Sequence, residues 1–293
     1  MAEISGVEML TPAVSEGKAS SKFHQAIGEF RGIKKELGSR EGVITLDEIL
    51  DRVYRWETEN DKKVTPAEAE SLYILSLILK TVEVSTEKRE KGDRLEIQKA
   101  NLQNIETQRD IVRHVFQNVD SKGIPNEAVV ESFGLVCSVF EDILNPGTPE
   151  KFERGVIREV GLWQGAVGMI TAAQMFNRIG WRVGFADPLL DLRYDVDFVA
   201  FDPEGEAFSV DVSSGIMPEG IGRQDLEEGL FYVRKGRVRQ EELLSKIPNL
   251  RGTIRVNFPP LWHAEAEEFY DHARKHSACP AQWAVERFRD LLK

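Results

Sequence analysis

Three aspartates, Asp195, Asp197 and Asp211, lie in strand-forming stretches on either side of Asp202-Pro203-Glu204-Gly205. Pro203 suits the second position of a type I turn and Gly205 the left-handed position after it, which together make a three-residue hairpin loop with a bulge. With Asp202 opposite Glu206, Asp197 faces Asp211 and Asp195 faces Ser213 on one side of the ribbon. The other side then sets Val196, Phe198 and Ala200 against Val212, Val210 and Phe208. Carboxylates directly opposite each other stand roughly 5 Å apart at the Cβ atoms and repel. At about 4 Å the repulsion is on the order of 1 kcal/mol in water and about 4 kcal/mol at an effective dielectric of 20. A metal cation, a shared proton or a neighbouring arginine would relieve it. A two-residue loop would instead slip the register by one and bring Asp211 opposite Val196.

The elements that must hold this hairpin belong to the second half of the chain. Residues 1–21 are small and polar without periodicity and are expected to form a mobile tail. Residues 22–147 read as an all-helical domain. Thr45-Leu46-Asp47-Glu48 and Thr65-Pro66-Ala67-Glu68 are capping boxes that start two helices. A longer helix is predicted from about Gly92 to Val119, its stripe of Leu95, Leu102, Ile105, Val112, Phe116 and Val119 interrupted by Gln98 and Arg109. Its histidine, His114, and the earlier His24 lack ligand spacing and are expected at the surface. Asn145-Pro146-Gly147 marks a boundary. From 148 to 293 the order becomes a helix ending near Ile179, a strand over 181–186, the aspartate hairpin, a helix near 240–247, a strand over 252–258 and two closing helices.

Composition frames these readings. The 293-residue chain is 41% apolar and 30% charged, enough for two domains with cores of their own. Its net charge of −11, concentrated before residue 150, argues against a binder that works by overall positive charge. One basic cluster stands out, Arg234-Lys235-Gly236-Arg237-Val238-Arg239, which is either a solvated surface run or a track for a phosphate backbone. The acidic helical half could instead dock a protein partner. Two cysteines, Cys137 and Cys279, are too few for a disulfide framework, so a reducing, cytoplasmic setting is expected. No apolar run is long enough to cross a bilayer, and no membrane association is expected.

The order of elements over about 149–260, a helix bearing Glu159, an aspartate on the second strand and Asp211-Val212-Ser213 on the third, resembles the PD-(D/E)XK nuclease superfamily. The resemblance implies, after the N-terminal helical domain read above, a restriction-endonuclease-like αβββαβ core with extra C-terminal helices, an α+β chain in all. It also implies metal-dependent hydrolysis of phosphodiester bonds in nucleic acid, with Glu159, Asp197 and Asp211 holding Mg2+ or Mn2+ through hard oxygen ligands. The family's motif ends in a lysine two residues after the second carboxylate, and this chain has Ser213 there. A serine is neutral and cannot supply that charge. Lys235 is the candidate for a catalytic lysine arriving from another element, and Arg234, Lys235, Arg237 and Arg239 are the candidate contacts to nucleic acid. Loss of the motif lysine equally suits a catalytically silent module that binds nucleic acid or protein. A two-domain assembly protein whose aspartates serve turn amides is a third reading.

Two weaker patterns complete the survey. His272 and His276 stand four residues apart beside Glu265, Glu267, Glu268 and Asp271, but no third zinc ligand is fixed by spacing, and a solvated helix face is the expectation. Ser213-Ser214-Gly215 lacks the glycine that a nucleophile elbow requires two residues before its serine.

Overall fold

The computed structural model describes residues 7–14, 94–121, 123–127, 129–130, 154–214, 232–238, 241–259, 266–271 and 278–293. The capping boxes at Thr45 and Thr65, the boundary at 145–147, His24, Cys137, Arg239 and the histidines of 263–276 lie outside them. Among the described residues one compact unit draws on Met1–Pro12, Gln108–Phe116 and Gln164–Lys293, and a second on Ala13–Thr107 and Gln117–Trp163.

The first unit is a mixed α/β structure around an open six-stranded sheet. Its strands are β1 (Glu8–Leu10), β2 (Arg182–Phe185), β3 (Phe198–Phe201), β4 (Ala207–Ser214), β5 (Tyr232–Gly236) and β6 (Leu250–Phe258). The helices of the described chain are α1 (Arg94–Gln117), α2 (Arg154–Arg178), α3 (Pro188–Tyr194), α4 (Glu241–Lys246), α5 (Ala266–Phe269) and α6 (Gln282–Leu291). Spatial order across the sheet is β1-β2-β3-β4-β6-β5. β2, β3 and β4 form an antiparallel meander. After it, β6 returns parallel to β4, and β5 lies antiparallel on the far side of β6.

The hairpin has the register its turn chemistry predicts, with Phe198 opposite Val210 and Phe201 opposite Ala207. Gly205 sits at φ 86°, where a side chain would be strained. Asp202 closes the loop twice, its N–H donating to the Glu206 carbonyl (3.1 Å) and its Oδ1 accepting from the Glu206 N–H (2.8 Å).

Alternation then sorts side chains between two apolar layers. On one face Phe198 meets Phe176 of α2 edge-on at 6.0 Å between ring centroids, and Phe176 meets Phe288 of α6 at 4.9 Å. On the other, Val199, Phe201 and Ala207 pack with Leu190 of α3, Leu243 of α4 and Ile247 just past it. Each such fully buried side chain contributes about 1.5–3 kcal/mol relative to exposure. Val196 belongs to this second layer, not to the Phe198 face expected from strict alternation. The cause is local. Asp195 is left-handed at φ 54°, and the Asp197 N–H donates to the carbonyl of Val210, the residue already opposite Phe198. Two residues thus share one partner, as in a bulge, and the alternation breaks.

Three elements have no counterpart in the sequence reading: β5, over the basic run expected only as a solvated surface or phosphate track, α3 and β1. α3 begins at Asp187-Pro188: the Asp187 carboxylate accepts from the Leu189 N–H (2.8 Å), and proline occupies the first turn. β1, within a segment expected to be a polar tail, adds an edge strand to β2. Its approach needs Gly184, because a Cβ there would lie 2.7 Å from the Glu8 carbonyl oxygen. Arg113 holds β1 by a forked ion pair to Glu8, at 2.8 and 2.6 Å.

Helix α1 runs two residues inside its predicted bounds at each end. Val112 and Phe116 are buried as the stripe requires, while Leu95 is exposed. Arg109, an interruption of that stripe, is among the most deeply buried side chains described, at 2% exposure. In the second unit, the Asn126 carboxamide oxygen accepts from the Val129 N–H (3.1 Å), capping the turn after Pro125.

Candidate functional site

The break in alternation at the start of β3 determines how Asp197 is used. Its Oδ2 accepts a 2.6 Å hydrogen bond from the Val212 N–H, so the carboxylate is tied to the backbone of β4. Burial pushes its pKa well above the ordinary carboxylate range; the charge of Asp191 and, less strongly, that of Asp211 add to the rise, while the Val212 N–H and Arg109 oppose it. Asp211 answers to a different partner. Parallel pairing sets it beside Arg255 of β6, and the Arg255 Nε stands 2.8 Å from its Oδ2. Burial still raises the Asp211 pKa, Arg255 pulling it back.

Asp191, on α3, is the third member of this group and was not singled out from sequence. It is 13% exposed and 3.4 Å from Arg109 Nη2. Burial pushes its pKa up to about 6 against the pull of Arg109, helped by the charges of Asp195 and Asp211. Arg109 also donates to the Ala186 carbonyl (2.8 Å) and lies 5.1 Å from the centroid of the Phe185 ring. The signal available in the sequence was a charged residue on the apolar stripe of a long helix, which either distorts the stripe or brings a cation into a core that contains an acid.

On the Asp211 side the sheet opens into a cavity of about 400 Å³. Asp195, Asp211, Arg234, Arg237 and Arg255 supply its charge, Ser209 and Thr253 hydroxyls, and Tyr194, Val196 and Leu243 apolar wall. Across the three neighbouring strands Asp211, Arg255 and Arg234 stand in one row, each directly paired with the next.

The candidate residues are thus only partly gathered. Asp197 and Asp211 are close enough to feel each other's charge. Arg234 and Arg237 line the cavity with Asp211. Lys235, between them, is directed elsewhere, its ammonium donating to the carbonyl of Leu292 just past α6. Ser213 stands in the lysine position with its hydroxyl 3.0 Å from Asn257 Oδ1 and 3.2 Å from the Val256 carbonyl. Glu159 falls on α2, its side chain outside the described residues.

These residues can be tested against a divalent ion. One Asp197 oxygen is engaged by a backbone N–H and one Asp211 oxygen by a guanidinium. Among the described residues no three His, Cys, Asp or Glu side chains gather in a way that could hold a metal. As arranged, this donor set does not fit a divalent ion, and arginine occupies the place a cation would take. Among the described residues, too, no helix is long and apolar enough to cross a membrane. Comparison of the chain with protein-family models, curated proteins and solved structures finds no match.

Proposed function

We propose that this chain is a nucleic-acid-binding protein on a restriction-endonuclease-like core in which phosphodiester hydrolysis is weak or lost. The support from topology is the sequence of α2, the β2-β3-β4 meander, α4 and a β6 parallel to β4, with one aspartate just before β3 and another on β4. The observation that carries the binding half is the cross-strand row Asp211, Arg255, Arg234. A guanidinium row at the edge of a cavity suits phosphate oxygens, which accept bidentate, charge-assisted hydrogen bonds. The weakened chemistry follows from Ser213 in the lysine position and from the internal pairing of both aspartates.

The test is fluorescence anisotropy with short single-stranded and duplex DNA and RNA in chelator. Binding should weaken steeply as salt rises from about 50 to 200 mM, as phosphate contacts require. Arg234→Gln and Arg255→Gln should each lower affinity and flatten the salt dependence. No binding of any of the four at low salt would overturn the proposal.

A second reading, metal-dependent hydrolysis, has one observation in its favour: the charges of Asp191 and Asp211 both add to the raised pKa of Asp197. A divalent cation would relieve that repulsion only by displacing Arg109 from Asp191 and Arg255 from Asp211.

A further inference from the structure

We infer that the arginine-lined cavity beside Asp211 is a metal-independent site for a phosphomonoester, either the terminal phosphate of a nucleic-acid strand or a free nucleoside monophosphate. For the strand the inference rests on the nucleic-acid reading above; for the free nucleotide it stands alone.

Charge makes the first argument. Arg234 and Arg255 are directly opposite on an antiparallel pair, where like charges destabilise. Asp211 neutralises Arg255 at 2.8 Å. Arg234 and Arg237 both line the cavity, and neither has an acidic partner among the described residues. Asp195 also lines the cavity, so three arginines against two aspartates leave a net charge of +1. The two guanidiniums without an acidic partner there can still present paired donors to a phosphomonoester, whose three terminal oxygens and charge of about −1.5 to −2 near neutral pH exceed those of an internal phosphodiester.

Shape makes the second. Gly236 forms part of the wall, and a Cβ there would lie 2.8 Å from Thr253 Oγ1. The bare glycine therefore leaves that hydroxyl facing the cavity as a donor. A volume of about 400 Å³ exceeds what phosphate alone needs and falls in the range of small-ligand sites. Tyr194 and Leu243 on the wall offer the sugar and base an apolar surface, while the Tyr194 hydroxyl is held by Glu242.

The experiment uses the full chain in chelator. Inorganic phosphate, against chloride at equal ionic strength, should raise the melting temperature, and a nucleoside 5′-monophosphate should bind in calorimetry where its nucleoside does not. Oligonucleotides with a 5′- or 3′-phosphate should bind about tenfold tighter than the same strand with hydroxyl ends, the value of one charge-assisted hydrogen bond. Arg234→Gln and Arg237→Gln should each remove about tenfold, while Arg251→Gln, at an exposed arginine paired with Glu206 on the same sheet, should change nothing. The phosphorylated strand gaining affinity without the free nucleotide assigns the site to strand ends, and the free nucleotide binding without a gain for strands assigns it to nucleotides. Oligonucleotides binding regardless of their ends, with phosphate and monophosphate inert, would overturn this inference and leave the nucleic-acid reading standing. Monophosphate binding with no oligonucleotide bound would do the reverse. Equal loss in Arg251→Gln would show generic surface charge and overturn the site.

Discussion

Acidification should pull on Asp191 and His114 in opposite directions, and that opposition can be measured. Asp191 has its carboxyl raised from 3.8 to about 6, with burial the leading cause. The folded state therefore holds a proton that the unfolded chain has released, and stability from this group grows as pH falls from about 6 towards 4. His114 on α1, half-buried rather than at the surface, is held from 6.5 down to about 4 by burial. Here the unfolded chain takes the proton first, and stability is lost as pH falls through nearly the same window. A carboxyl raised from 3.8 to about 6 and an imidazole lowered from 6.5 to about 4 each correspond to on the order of 3 kcal/mol. Asp191→Asn should therefore lose about 3 kcal/mol relative to the natural protein between about pH 7 and 4, and His114→Gln should gain about as much. Asp191→Asn also removes one cause of the raised Asp197 pKa, which enlarges its loss. Urea unfolding at stepped pH gives the three curves, and only their differences matter, because groups coupled to neither residue, such as Asp290, titrate alike in all of them. Parallel curves for the three proteins would refute the assignment of both groups.

Internal pairing of Asp197 and Asp211 predicts that Mg2+ or Mn2+ at about millimolar concentration leaves the melting temperature unchanged and that generic DNA is cleaved weakly or not at all. A metal-dependent rise lost in Asp211→Asn, or strong cleavage lost in Asp197→Asn, would restore the hydrolase reading. Gly205→Ala, at φ 86°, should cost about 1 kcal/mol or more in urea unfolding, and a cost near zero would mean the loop relaxes into another turn type. Arg109→Leu strands the buried Asp191 and should cost about 3–5 kcal/mol; adding Asp191→Leu should recover much of that, and a double variant no more stable than the single would show that Arg109 acts through Ala186 and Phe185 alone.

What could be read from the residues was what local chemistry dictates. Pro203 and Gly205 determine the loop, the loop determines the register, and the register brings Asp211 to the face it shares with Ala207. The antiparallel meander followed by a helix and another strand was equally legible from turn residues and periodicity. What lay out of reach depends on partners distant in sequence. Nothing near Asp211 announces Arg255, because parallel pairing of β4 with β6 alone brings them together. Nothing near Glu8 announces a strand, because three residues carry no period and the signal sits at Gly184, about 175 residues away. α3 differs: Asp187-Pro188 is a helix start legible in the sequence, although the seven-residue helix it opens has no counterpart in the sequence reading. The bulge at Asp197 follows from that helix, since the left-handed Asp195 ends α3 and turns Val196 to the opposite layer.

Ser213, where the motif of the resembled nucleases has a lysine, has a structural counterpart in how positive charge reaches these carboxylates. A lysine two residues along the same strand would stand on the same face as Asp211, mobile and strongly hydrated. Instead Arg255 comes from the neighbouring strand, Arg109 from a helix near the middle of the chain, and Asp197 receives a backbone N–H from β4. Guanidiniums stay charged at any physiological pH and cannot take up or release a proton during a reaction. That arrangement can neutralise, orient and bind anions, and among the described residues it offers no group beside Asp211 to activate a water by accepting its proton except the aspartates themselves. On the proposed reading, a serine in place of the lysine spares binding more readily than hydrolysis, and the pairing of Arg234 with Arg255 across β5 and β6 gives such binding a place to act.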